Sequence, residues 1–104
     1  MSADSLKNKL SWKQTPNIVA RRIRGEVLLV PIHSTSETLD SFFTLNPTAA
    51  EIWQALCEGR HLAEIAESLS DQYAVSVDDA EADILRLAAE LEILGALERN
   101  QPKD

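Results

Sequence analysis

Leu45-Asn46-Pro47-Thr48-Ala49-Ala50-Glu51-Ile52-Trp53-Gln54-Ala55-Leu56-Cys57-Glu58-Gly59 decides the fold, because strand-like sequence precedes it and helix-like sequence follows. Asn46 suits the N-cap of a helix, since its short amide accepts from backbone N–H groups that the first turn leaves free. Pro47 then falls at the first helical position, where a missing donor costs nothing. Ala49, Ile52, Trp53, Leu56 and Cys57 recur at helical spacing and form one apolar stripe anchored by Trp53. Gly59 supplies the left-handed residue that commonly ends a helix, so this one runs for about three turns.

Upstream, Ile18-Val19-Ala20-Arg21-Arg22-Ile23 and Val27-Leu28-Leu29-Val30-Pro31-Ile32 read as two short strands joined by a turn at Arg24-Gly25-Glu26. The first has polar residues in its second half, as a solvent-facing strand does. The second is apolar through Val30, which predicts a central strand or one covered on both sides. After the polar loop His33 to Glu37, Thr38 to Leu45 reads as the third strand and runs directly into Asn46. Its two-residue period puts Leu39, Ser41, Phe43 and Leu45 on one face and Asp40, Phe42 and Thr44 on the other.

Downstream, a second helix begins near His61 and carries Leu62, Ile65, Ala66 and Leu69 inward as far as Tyr73. Ser76-Val77-Asp78-Asp79 opens a third helix, with acidic residues in the first turn where the helix dipole favours them, and Gly95 closes it. At about 100° per residue, Val77, Ala80, Ile84, Leu87, Ala88, Leu91 and Leu94 make its core face. Ala82, Leu85, Ala89 and Ile93 form a second apolar stripe almost opposite, which a surface helix does not need. Either the sheet or the N-terminal segment covers that stripe, or it is an exposed groove for a peptide or another subunit. An open edge on the third strand beside this helix would complete such a site, because unpaired backbone groups recruit an extended peptide and the adjoining pocket selects its side chains. These elements predict an α+β domain, a three-stranded antiparallel sheet followed by three helices.

Composition bounds the reading. A chain of 104 residues, 44% apolar and 26% charged, suits one globular domain with a single modest core. The expected boundaries are a flexible basic tail at 1–15, the domain at 16–97 and a C-terminal tail at 98–104. With no signal-peptide segment and no long apolar run, the expected address is cytoplasmic. The net charge of −7 divides unevenly. Residues 1–25 carry six basic residues against Asp4, a net of +5, whereas 26–104 hold four basic and sixteen acidic residues, a net of −12. So acidic a body repels a phosphate backbone, which argues against nucleic acid.

The segment Leu45 to Trp53 resembles the signature of the PqqD family, named for protein D of pyrroloquinoline quinone biosynthesis. The resemblance continues through Gly59, Glu64-Ile65, Leu69, Tyr73, Val75, Asp83-Ile84, Leu91 and Gly95, covering residues 39–97 in register. It implies a winged helix-turn-helix-like fold. It also implies a non-catalytic peptide chaperone, a recognition element that binds the leader of a ribosomally synthesised (RiPP) precursor peptide for natural product biosynthesis. The partner it implies is a modifying enzyme, in the family often a radical SAM enzyme. In related domains the leader adds as a strand in the cleft between the third strand and the third helix. Carried onto this chain, the peptide-binding residues are Leu39, Asp40, Ser41, Phe42 and Phe43 on the strand, with Asp83, Arg86, Leu87, Glu90 and Leu94 on the helix. Leu85, Ala89 and Ile93 are the alternative lining if the helix is rotated the other way.

Other chemistry has little to stand on. Cys57 and His61 are four residues apart, but Gly59 lies between them and no further ligand is near, so no metal site is expected. Cys57 cannot form an internal disulfide and reads as a small core residue. No Gly-rich phosphate loop occurs and nothing activates a particular serine, so neither cofactor nor catalysis is expected. Two rival readings keep the same architecture. One is a winged-helix DNA-binding protein, opposed by Asp78, Asp79, Glu81, Asp83, Glu90 and Glu92 on the third helix against Arg86 alone. The other is an assembly module, a homodimer formed through the second stripe rather than a monomer.

Overall fold

The computed structural model describes residues 9–32 and 43–100. In chain order they form β1 (Trp12–Gln14), β2 (Ile18–Ile23), β3 (Glu26–Pro31), β4 (Phe43–Leu45), α1 (Pro47–Cys57), α2 (Leu62–Tyr73), α3 (Val77–Leu94) and β5 (Leu97–Arg99). The expected three-stranded antiparallel sheet is β2-β3-β4, with Val19 opposite Val30 and Leu28 opposite Thr44. Arg24 and Gly25 make the two-residue hairpin turn, both at positive φ (52° and 85°), which matches the twist of the flanking strands. β3 is central, as its apolar run requires. Its second face is less covered than expected: Val27 and Leu29 are buried, Leu28 and Val30 half-buried, and Val19 and Ile23 beside them on β2 exposed.

The helices start and stop where their caps dictate. Asn46 Oδ1 accepts from the Ala49 N–H at 2.8 Å, and Pro47 opens α1 one residue after β4 ends. The Ser76 hydroxyl accepts from Asp79 N–H at 3.1 Å at the start of α3. Trp53, Leu56, Leu62, Ile65, Ile84 and Leu91 close the core from the helical side, and Val27, Leu29 and Leu45 from the sheet. On α3 the core face is narrower than its periodicity suggests. Ala80, Ile84, Ala88 and Leu91 are buried, Leu87 and Leu94 half-buried, and Val77 exposed in the first turn.

The termini depart most from expectation. Residues 1–15 were expected to be a tail and 98–104 another, yet Trp12–Gln14 and Leu97–Arg99 pair as an antiparallel ribbon. Trp12 is fully buried. Its indole N–H donates to Glu92 Oε2 at 3.1 Å, and the Arg99 guanidinium lies 5.7 Å from its ring centroid. Thr15 Oγ1 donates to the Gly95 carbonyl at 2.5 Å, and the Asn100 amide group donates to Ser11 Oγ and the Trp12 carbonyl. Further out, the Leu62 N–H donates to the Leu10 carbonyl at 2.8 Å, so main chain from the expected tail satisfies a free donor at the start of α2. A large indole and a set of matched donors therefore bind a segment whose composition is otherwise that of a tail. Gly95, at φ 88°, makes the reversal that sends the chain from α3 back alongside β1.

Candidate functional site

α1 leaves the end of β4 with only Asn46 between them, and α3 passes beside its first turns. The space between them is an open groove of about 350 Å³ lined by Asn46, Thr48, Ala49, Ile52, Asp83, Arg86, Leu87 and Glu90. Ile52 is buried, Ala49 and Leu87 are half-buried, and together they give an apolar floor. Asp83, Arg86 and Glu90 stand exposed along the α3 rim. Arg86 Nη1 lies 3.8 Å from Asp83 Oδ1 with the side chains 73% and 66% exposed, a solvent-screened pair that contributes little to stability.

β4 is the terminal strand of its sheet. Its partner on one side is β3, and among the described residues its other edge has none. Phe43 is half-buried on the inward face with Leu45, while Thr44 points to the outer face. An edge of this kind presents unpaired N–H and C=O groups to any extended chain. It leads at Asn46 into the mouth of the groove.

Of the ten residues assigned to the site from sequence, Asp83, Arg86, Leu87 and Glu90 come together on the groove wall. Phe43 lies on the strand that leads to it, and Leu94 packs half-buried against the core, apart from the groove lining. Leu39, Asp40, Ser41 and Phe42 lie outside the described residues. The α1 side of the groove, Thr48, Ala49 and Ile52, is absent from the sequence reading. Ala49 and Ile52 were visible there as members of the first helical stripe, and a stripe broader than the core can cover was the available signal. The alternative lining fares differently, because Ala89 and Ile93 are exposed on the side of α3 away from the core and none of that stripe lines the groove.

Reactive chemistry finds no support nearby. Burial pushes the Cys57 thiol up to about 12, with the Glu58 carboxylate adding to the effect, so it stays a neutral thiol at physiological pH. Among the described residues no group of three or more His, Cys, Asp or Glu side chains is placed to hold a metal ion. No described helix is long and apolar enough to cross a membrane.

Comparison with known proteins gives three findings. The family described as coenzyme PQQ synthesis protein D (PqqD) matches residues 26–97. TbiB1 in complex with the TbiA(beta) leader peptide is similar in structure, with a TM-score of 0.71 and 25% sequence identity, covering 88% of this chain and 99% of that one. So is lasso peptide synthetase B1 complexed with the leader peptide, with a TM-score of 0.73 and 30% identity, covering 85% of this chain and 98% of that one. No curated protein matches the chain by sequence.

Proposed function

This chain belongs to the PqqD family, and from that premise we propose that it holds the leader segment of a ribosomally made precursor peptide and presents it to a modifying enzyme. The observation that carries the reading is the juxtaposition of a sheet edge at β4, unpaired among the described residues, with the groove between α1 and α3. Two proteins of similar fold, each covered almost end to end, are complexes with leader peptides, which supports assigning the same class of guest here.

The physical mechanism is strand addition. The guest's main chain pairs with the free groups of β4, so affinity along the strand is independent of sequence, and alternate side chains turn toward the groove. Ala49, Ile52 and Leu87 accept an apolar side chain there, while Asp83, Arg86 and Glu90 discriminate by charge at the rim. Leu39, Asp40, Ser41 and Phe42, which precede Phe43 in the chain, are proposed as further peptide-binding residues. The chain acts by holding and orienting, and chemistry on the peptide belongs to the enzyme that receives it.

Titration calorimetry against leader peptides of short precursors encoded beside the gene tests this, beginning with lasso-type precursors because of the 30% identity to lasso peptide synthetase B1. The expected result is saturable binding at one peptide per chain. Absence of heat with every such leader, in a chain shown to be folded, sinks the reading.

A further inference from the structure

The groove wall on α3 carries an excess of negative charge, and the excess sits on one side chain. Asp83, Arg86 and Glu90 are the charged residues of the lining, two carboxylates against one guanidinium, and the α1 side adds no charge. Asp83 has Arg86 beside it at 3.8 Å. Glu90 is exposed, and its carboxylate meets no hydrogen-bond or ion-pair partner among the described residues. Nor does charge at the mouth of the groove cancel it. The β2–β3 turn comes up to Pro47, where a Cβ on Gly25 would lie 3.9 Å from the proline ring, but that turn carries Arg24 and Glu26, one of each sign. The wider field reinforces Glu90, since residues 26–104 hold a net charge of −12.

Spacing decides which part of a guest meets Glu90. Leu87 is half-buried on the floor and Glu90 follows it by three positions, so the two are neighbours about 5–6 Å apart on one side of α3. In an extended chain, side chains two positions apart share a face and lie about 6.5 Å apart. A guest that sets an apolar side chain over Leu87 therefore sets the side chain two positions away beside Glu90. Lys and Arg suit that place, because their stems lie along apolar surface while their charged heads stay at the wet rim. A guest carboxylate does not. Arg86 offers it no equal alternative, because Asp83 and Glu90 stand one helical turn to either side of that guanidinium.

This inference rests on the strand-addition reading above and deepens it. We propose that Glu90 is the residue of the groove that reads charge, and that the guest it selects carries Lys or Arg two positions from its apolar anchor.

The probe is a leader, from a short precursor encoded beside the gene, that gives heat in the calorimetry above. An alanine scan of that peptide locates the anchor as the position of largest loss, and the residue two places to either side is then made Lys, Gln or Glu. On one side of the anchor, the parent chain is expected to bind the Lys peptide about threefold tighter than the Gln peptide, the scale of an exposed ion pair, and the Glu peptide more weakly still. Glu90→Lys should reverse that order and Glu90→Gln should level it. Glu67→Lys, exposed on α2 and outside the groove lining, makes the same change in net charge as Glu90→Lys and should keep the parent's order. Binding indifferent to charge on both sides of the anchor overturns the proposal and leaves strand addition standing. Reversal by Glu67→Lys as well as by Glu90→Lys overturns the assignment to Glu90. Absence of binding by every leader sinks the strand-addition reading, and this proposal with it.

Discussion

The molecule has two sheets, and they are finished differently. The β1–β5 ribbon is stitched along its length: the indole on Glu92, the Thr15 hydroxyl on Gly95, the Asn100 amide on Ser11 and Trp12, and Lys13 Nζ 3.3 Å from Glu98. The β2-β3-β4 sheet ends at β4 with its last row of backbone groups unpaired among the described residues. The ribbon's side chains are engaged with the domain itself, whereas the outer edge of β4 has no strand partner among the described residues. If the guest binds at β4 as proposed, stability and recognition are lodged in different parts of one small chain, and substitutions can separate them.

The largest effect should come from the ribbon. Trp12→Ala removes a fully buried indole and leaves Glu92 short of a donor, and should cost about 3–5 kcal/mol in urea or thermal unfolding. A cost under about 1 kcal/mol would show that the ribbon is an appendage after all. On the recognition side, Ala49→Asp puts bulk and charge on the groove floor at the third position of α1, where the helix dipole favours a carboxylate. Leader binding should fall by at least about tenfold, near 1.4 kcal/mol, while the melting temperature holds. Unchanged binding would remove the α1 wall from the site. The smallest effect falls at the junction of strand and helix: Asn46→Ala deletes the 2.8 Å cap and should lower stability by about 1 kcal/mol, read by the same unfolding curves.

What the sequence discloses divides along the same line. Asn46-Pro47, Gly59, Ser76 and Gly95 act within a few residues of themselves, so the helix limits are legible from local chemistry. The β2–β3 hairpin is legible for the same reason, through Arg24-Gly25. The ribbon is not, because two three-residue strands more than eighty positions apart have no period to detect, and their pairing exists only after α3 has turned the chain back. One sign of it was present: a tryptophan at position 12 has no reason to sit in a solvated tail. The α3 side of the groove, Asp83, Arg86, Leu87 and Glu90, could be placed from the family resemblance and helical spacing. The α1 side could not, since Ile52 serves both core and groove, and periodicity records only that it faces inward.

Both indoles of this chain are interior, Trp12 in the ribbon and Trp53 on α1. Neither is among the groove-lining residues. Their ultraviolet emission is thus a gauge of whether the interior is shut and is nearly blind to occupancy. A chain retaining only Trp12 reports the joining of its two ends, and one retaining only Trp53 reports the helical interior, so arrival of a guest is best followed by a dye carried on the peptide.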